Sequence, residues 1–198
     1  MTKGFRYFLV VLLSCTLGLQ SCSDELPDGD GDIFNQQVCD GGTEDSYFPL
    51  TVGNSWKYSQ NNSFEPIVRI VEGNVPFNAN VYYIVVDEQH NDDMTMFLRM
   101  DTLGNIVQYR GNADELYLPA NPVVGDIWVN TGDTLSVSAT NATLSTTYCD
   151  YRNVLVVQKR NQSGILEDTR YYVKGIGEIY SYAEGDSSTR TLYDVDLK

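Results

Sequence analysis

Short runs of β-branched and aromatic residues, separated by turn-forming clusters, restrict the fold of this chain more than any other feature of its sequence. Valine, isoleucine, threonine and aromatic residues favour the pleated surface of a strand, and clusters of Gly, Asn, Asp and Ser favour tight turns. Runs that recur about every 8–12 residues are typical of an antiparallel sandwich or barrel. The runs are 55–58, 67–71, 81–86, 96–100, 106–109, 135–140, 154–157, 171–173, 179–182 and 192–193.

Amphipathic helices are not indicated, because no window of the sequence repeats its apolar residues at the helical period of about 3.6 residues. The sequence therefore predicts an all-β fold. We expect a curved antiparallel meander that forms a partly or fully closed barrel or sandwich, with roughly ten strands and little helix.

The N-terminus has the organisation of a bacterial export signal. Lys3 and Arg6 precede an apolar run at 7–19, which is too short to span a bilayer because a spanning helix needs about 20 residues. The stretch LQSC at 19–22 resembles the bacterial lipobox. The resemblance implies that the signal is removed before Cys22 and that Cys22 receives acyl chains such as palmitate, which anchor the protein to a membrane.

Two other interpretations of this segment stay open. Cys15 is a rival lipidation site, although cleavage there would shorten the apolar run to about half. The segment could also be an ordinary signal peptide in which Cys22 is incidental. Ser23 and the acidic residues after it resemble the sorting signals of Bacteroidota-type lipoproteins. That resemblance implies a lipoprotein of the outer membrane of a Gram-negative bacterium, exposed on the cell surface.

The sequence divides into a lipoprotein signal peptide at 1–21, an acidic, glycine-rich tether at 22–46, and a single all-β domain at 47–198. The tether has few apolar residues to bury, so we expect it to stay extended and hydrated. Its DGDGD stretch at 28–32 is a weak candidate for a calcium loop, because other residue types occupy the glycine and glutamate positions that an EF-hand requires.

Two cysteines remain once Cys15 is removed with the signal and Cys22 is lipidated. Cys39 and Cys149 would then face an oxidising compartment, where such a pair favours a disulfide. Two free thiols are the alternative. We therefore predict a bond between Cys39 and Cys149.

The charge balance excludes one class of partner. The formal net charge is −14, whereas a nucleic-acid-binding domain needs a basic surface. An anionic membrane surface is disfavoured as a partner for the same reason. We expect the negative charge to serve mainly solubility.

No set of residues commits the chain to a reaction. His90 is the only histidine and lies in an acidic turn, where it is a weak candidate for a divalent metal ion. A lone histidine cannot complete a standard zinc site, and a Ser-His-Asp triad would also need the nucleophile elbow that the sequence lacks. Gly175-Ile176-Gly177 has no phosphate-loop context and is expected to form a bend or bulge. We predict no catalytic residue, no metal site and no cofactor.

The stretches YFPLTVGNSWKY (47–58) and YYVKGIGEIYSY (171–182) resemble the opening and closing segments of small secreted bacterial β-domain lipoproteins. The resemblance implies an all-β fold and transfers no catalytic residue to this chain. A separate internal similarity joins Val52–Trp56 and Val124–Trp128, which share the pattern V-G-[ND]-x-W. The simpler explanation is that one turn-plus-tryptophan motif is used twice. The other explanation is an internal duplication.

The sequence thus predicts a non-catalytic cell-envelope lipoprotein whose exposed β domain binds a ligand or a protein. A glycan, a peptide, a small apolar ligand and a partner protein are all candidates. The 14 tyrosines could bind such ligands by stacking, but aromatic residues also fill strands and barrel interiors. The alternative is a small extracellular, glycan-acting hydrolase that uses paired carboxylates.

Replacing Cys22 by alanine should release the protein from the membrane, because the acyl chains on this residue would form its anchor. Labelled palmitate should enter the wild-type protein and should not enter Cys22→Ala, which should be recovered in the soluble fraction. Cys15→Ala is the matched control and should be labelled normally. Label that persists in Cys22→Ala and disappears in Cys15→Ala would assign the anchor to Cys15.

Overall fold

The computed structural model describes residue 39 and residues 43–61, 63–89 and 93–198. The predicted signal peptide, Cys22 and the calcium-loop candidate at 28–32 lie outside the described residues. The described part forms one 12-stranded sheet. Its strands are β1 (Ser55–Gln60), β2 (Ser63–Phe77), β3 (Asn80–Glu88), β4 (Met94–Met100), β5 (Ile106–Tyr109), β6 (Asp114–Leu118), β7 (Ile127–Asn130), β8 (Asp133–Ser145), β9 (Asp150–Arg160), β10 (Leu166–Val173), β11 (Gly177–Ala183) and β12 (Ser188–Asp196).

The sheet is an antiparallel meander that nearly closes into a barrel. The strands pair in the order β6-β5-β4-β3-β2-β1-β12-β11-β10-β9-β8-β7, so β1 and β12 join two consecutive six-stranded halves through a continuous ladder. The predicted all-β fold is confirmed, and the expected number of strands is close to the observed one. No helix in the described residues is long and apolar enough to cross a membrane.

Strands β6 and β7 form the seam of the barrel, where side chains replace the backbone ladder. Asn130 Nδ2 donates to Leu116 O at 2.9 Å, and Thr131 N donates to Glu115 Oε2 at 2.7 Å. Neither strand is among the runs identified from the sequence, although the turn-plus-tryptophan pattern at Val124–Trp128 leads into β7. β6 is less distinct because it begins with two acidic residues.

Residues 47–50 close one end of the barrel, where the turns β2–β3, β4–β5, β6–β7, β8–β9 and β10–β11 lie. All four residues are buried. Gly175 N donates to Ser46 O at 2.8 Å, and Asn54 Nδ2 donates to Pro49 O at 3.1 Å, which fixes the segment against its neighbouring turns. We call this end of the barrel the closed end. The opposite end, which carries the other six hairpin turns, is called the open end.

Trp56 anchors the core beneath this segment. Its ring is 1% exposed and lies 5.7 Å from the Phe48 ring, and its Nε1 donates to Ile176 O at 2.6 Å. A Cβ on Gly177 would lie 3.1 Å from Trp56 Nε1, and the φ of Gly177 is +112°, so this close approach requires glycine. The Gly-Ile-Gly stretch therefore forms the bend that the sequence predicted.

The turn before β1 closes by a specific hydrogen-bond pattern. Asn54 N donates to Thr51 O at 3.0 Å. Gly53 N donates to Val71 O at 2.9 Å, and Val71 N donates to Asn54 O at 2.9 Å. Gly53 has a φ of +94°, which most other residues would adopt only with strain.

The turn before β7 repeats this pattern at every position. Asp126 N donates to Val123 O at 3.0 Å, Gly125 N donates to Val137 O at 2.9 Å, and Val137 N donates to Asp126 O at 3.0 Å. Gly125 has a φ of +95°. The shared sequence pattern thus reflects one turn geometry that begins both six-stranded halves.

The predicted disulfide between Cys39 and Cys149 is confirmed, with the two Cα atoms 5.4 Å apart. Cys149 lies in the β8–β9 turn, at the closed end. The chain before the domain is therefore linked covalently to this end of the barrel.

Replacing Cys149 by serine should lower the free energy of unfolding by at most about 4–5 kcal/mol, because the bond spans 110 residues and cross-links restrict the unfolded chain. Urea denaturation of the oxidised protein measures the difference. Cys39→Ser should give the same loss, and reduced wild-type protein should match both variants. A variant midpoint equal to that of the oxidised wild type would contradict a stabilising bond.

Candidate functional site

A buried ion cluster joins three strands inside the barrel. Arg69 donates from Nε to Asp87 Oδ1 at 2.6 Å and from Nη2 to Asp87 Oδ2 at 2.8 Å, while its Nη1 donates to Glu178 Oε2 at 3.1 Å. The side chains of the three residues are 4%, 0% and 3% exposed. Arg190 approaches from β12, with its Nη1 3.5 Å from Asp87 Oδ2.

Strand periodicity explains why Arg69 points inward. Successive side chains alternate between the faces of a strand, so Arg69 shares its face with the buried Ile67 and Val71. Asp87 is the direct partner of Arg69 in the β2–β3 ladder and therefore points to the same side.

The cluster separates the apolar interior from a polar one. On the apolar side, the Arg69 guanidinium lies 5.7 Å from the Phe48 ring and 5.5 Å from the Tyr58 ring, positions from which aromatic faces attract cations. Tyr58 also donates from its hydroxyl to Glu178 O at 3.0 Å. On the polar side, Arg69 and Glu178 line a cavity.

Both carboxylates of the cluster stay ionised. Burial alone raises the pKa of the Asp87 carboxyl, but the charge and hydrogen bonds of Arg69 outweigh it, so the pKa lies below its usual value. Burial likewise raises the pKa of Glu178, and the charges of Arg69, Arg170 and Arg190 reverse that shift, so its pKa is also lowered.

The cavity has a volume of about 470 Å³ and lies at the open end. Its lining includes residues next to the β3–β4, β5–β6, β9–β10 and β11–β12 turns. Solvent reaches the lining, because the Arg170 and Arg190 side chains are 26% and 31% exposed. Its charged members are five cations and three acids: Arg69, Arg110, Lys159, Arg170, Arg190, Glu167, Asp168 and Glu178.

The polar interior continues to the seam. A neighbouring cavity of about 220 Å³ shares Arg110, Tyr117 and Arg170 with the first and is also lined by Asn130 and Thr131 at the end of β7. The seam, where β6 and β7 form no backbone ladder, therefore borders the charged part of the interior.

Gln108 is the one residue of the cavity lining with a buried side-chain acceptor that has no hydrogen-bond partner in the described part of the chain. It is 4% exposed, and its Oε1 accepts no hydrogen bond. The residue lines both neighbouring cavities. An unpaired buried acceptor destabilises a fold by about 1–3 kcal/mol, so Gln108 is a candidate to bind a group that enters the cavity.

A separate aromatic group lies on the outer face of β2–β5. The Phe77 and Tyr109 rings are 5.0 Å apart, and Tyr82 lies 5.6 Å from Tyr109. Val75 and Phe97 complete the lining of a shallow apolar groove. Aromatic residues are thus used both in the core, as with Trp56, and on the surface.

The other candidates from the sequence do not meet in this cavity. Cys39 and Cys149 lie at the closed end, and Cys22 and His90 lie outside the described residues. Within the described part of the chain, no group of three or more His, Cys, Asp or Glu side chains is arranged to hold a metal ion.

Sequence reasoning missed every residue of the cavity. The available signal was a polar residue within an apolar run: Arg69 interrupts Ile67–Val71, and Gln108 lies two residues after Ile106. Because side chains alternate along a strand, each of them shares a face with these neighbours, and the structure shows that this face is buried.

Replacing Arg69 by methionine should lower the free energy of unfolding by about 3–5 kcal/mol, because two carboxylates would remain buried without their cation. Chemical denaturation at pH 7 measures the loss. Lys57→Met is the matched control, since the Lys57–Asp194 pair is similarly short at 2.7 Å but much more exposed, and it should cost at most about 1 kcal/mol. Equal losses in the two variants would show that the cluster contributes no more than a surface pair.

Acid should remove the stabilisation that the cluster provides. The usual pKa values of Asp87 and Glu178 are 3.8 and 4.5 and both are lowered in the folded protein, so unfolding takes up protons. The stabilisation is therefore complete above these usual values and is lost as the pH falls through the lowered native values. Urea midpoints measured between about pH 6 and 2 should fall more steeply for the wild type than for Asp87→Asn; parallel curves would contradict this prediction.

No protein-family model, curated protein or solved structure matches this chain significantly. The function is therefore inferred from the cavity and its side chains.

Proposed function

We propose that this protein is a non-catalytic cell-envelope lipoprotein whose barrel binds a small polar ligand in the cavity at its open end. The cavity itself carries the proposal. Its volume of about 470 Å³ lies within the range of ligand pockets, about 300–1,000 Å³. A 12-stranded barrel is wider than the eight-stranded barrels whose interiors side chains just fill, and part of this interior is a cavity with charged groups in contact with solvent.

The disulfide supports export of the protein, because such bonds form and persist in oxidising compartments. Cys39 is bonded to Cys149 at the closed end. The opening of the cavity lies at the other end of the barrel, so this covalent link does not obstruct the entry of a ligand.

The state of the carboxylates supports binding over catalysis. A general acid needs a raised pKa at neutral pH, whereas arginines lower the pKa of Glu178. Asp168 accepts from Arg170 Nε at 2.5 Å, and Glu167 lies 3.3 Å from Lys159 Nζ. Each acid of the cavity is thus held by a cation.

A glycan-acting hydrolase is the second candidate, and one observation favours it. Glu167, Asp168 and Glu178 line the same cavity, and a pair of carboxylates suffices for glycoside hydrolysis. Hydrolysis would require one of these residues to take up a proton near neutral pH when substrate displaces its cation.

Filling the cavity should abolish ligand binding. Ser181 lines the cavity and is 8% exposed, so Ser181→Phe would place a ring in that space. We expect ligand-observed NMR with the full-length protein in detergent to detect binding from a panel of D-glucose, D-glucuronate, L-glutamate and inorganic phosphate. The signal should disappear in Ser181→Phe.

The exposed Ser138 on β8 offers the matched control, and Ser138→Phe should bind as the wild type does. Both variants should keep the far-ultraviolet spectrum of the wild type. Binding that survives in Ser181→Phe would contradict the proposed site. Conversion of a glycan substrate to product by the wild type, measured by NMR over hours, would favour the hydrolase.

A further inference from the structure

We infer that the cavity recognises an oxyanion group, such as a carboxylate, phosphate or sulfate, on a small molecule that also carries hydroxyl or amide groups. This inference rests on the proposed function and specifies its ligand. The donors would be the guanidinium groups of Arg110, Arg170 and Arg190. Gln108 would accept a hydrogen bond from the neighbouring hydroxyl or amide.

The distribution of positive charge is the first observation. The chain has 13 Lys and Arg residues and a formal net charge of −14, yet five of those cations line this single cavity. Three acids line it with them, and Asp87 and Asp133 pair with Arg69 and Lys159 from behind the lining. The charges therefore balance as a whole, and what distinguishes the cavity is the number of cationic hydrogen-bond donors inside one end of a strongly acidic protein.

Two of the five cations are already paired with carboxylates of the protein. Arg69 uses three of its nitrogens on Asp87 and Glu178. Lys159 Nζ lies 3.1 Å from Asp133 Oδ2 and also contacts Glu167. These two cations support the wall of the cavity and are not available to a ligand.

The other three cations keep unused donors. Among the described residues, Arg170 donates to Asp168 through Nε, and its two Nη groups make no hydrogen bond. In the same part of the chain, Arg110 makes one long side-chain hydrogen bond, from Nη2 to Asn130 Oδ1 at 3.4 Å. The nearest carboxylate of Arg190 there is that of Asp87, at 3.5 Å. A guanidinium carries five N–H donors in a planar fork that matches an oxyanion.

The buried Gln108 amide is the second, independent observation. Its Oε1 accepts no hydrogen bond from the described residues, although the residue is 4% exposed and lines the cavity beside Arg110 and Arg170. A carboxylate or sulfate has no proton to donate at neutral pH, so a second group on the ligand would provide the donor for this acceptor. The site therefore fits a hydroxylated or amidated acid better than a bare ion.

A matched pair of probes tests the inference. D-glucuronate and D-glucose differ at C6, where one has a carboxylate and the other a hydroxymethyl group. Calorimetry with the full-length protein in detergent should show at least tenfold tighter binding of D-glucuronate. NMR of the arginine Nε–H signals should show shifts at Arg110, Arg170 and Arg190 with D-glucuronate, inorganic phosphate or sulfate.

Substitutions of single arginines then identify the residues that donate hydrogen bonds to the ligand. Arg110→Gln and Arg190→Gln should each weaken D-glucuronate binding about tenfold and leave D-glucose binding unchanged. Arg152 is exposed on β9 and is absent from the cavity lining, so Arg152→Gln removes the same charge elsewhere and should bind D-glucuronate as the wild type does. An equal loss in Arg152→Gln would show general attraction of anions and overturn the inference.

The two proposals fail in distinguishable ways. If D-glucose binds as tightly as D-glucuronate and Ser181→Phe abolishes both, the cavity is a binding site but not an oxyanion site. If none of the oxyanions shifts an arginine signal of the cavity, the inference is wrong whatever else binds there. If Ser181→Phe leaves D-glucuronate binding intact, both the inference and the proposed function are wrong for this cavity.

Discussion

The contact between Arg69 and the carboxylates of Asp87 and Glu178 determines how the interior of this barrel is divided. It joins β2, β3 and β11 through side chains that are nearly inaccessible to solvent. Charges in such a position remain stable only when each one is paired and hydrogen-bonded. The cluster meets this condition and contacts aromatic rings on its other side. It therefore provides a boundary at which an apolar core can end and a solvated cavity can begin.

The fold was largely predictable because its signals are local. Strand runs and turn clusters appear within a few residues of one another, and a meander pairs each strand with its neighbour in sequence. Two features had no such signal. The β1–β12 ladder joins distant parts of the chain, and the seam strand β6 is short and begins with two acidic residues. The disulfide could be predicted because the expected removal of Cys15 and lipidation of Cys22 left Cys149 as the partner for Cys39. The expected oxidising compartment favours a bond between them.

The cavity was not predictable to the same degree, for reasons of geometry. Ile67–Val71 is apolar on both faces, so alternation alone does not say whether Arg69 points inward. Glu178 and Ile179 are consecutive and both buried, because a register shift next to Tyr172 interrupts the alternation. Arg110 lies in the β5–β6 turn and Arg190 lies on β12, and their approach to one cavity follows from barrel closure. The pattern of a single strand could suggest one charged side chain that points inward. It could not suggest which charged residues from different parts of the chain meet in the cavity.

The repeated turn connects the fold to the position of the cavity. Gly53 and Gly125 begin the two halves with the same hydrogen bonds and the same backbone conformation. The halves differ where they meet. One junction is the β12–β1 ladder, whereas the other is the seam, where Asn130 and Thr131 form side-chain contacts in place of a ladder. Both of these residues line the polar interior. The charged cavity thus borders the junction at which the two halves depart from their common pattern, and that departure leaves room for polar groups which a second ladder would have excluded.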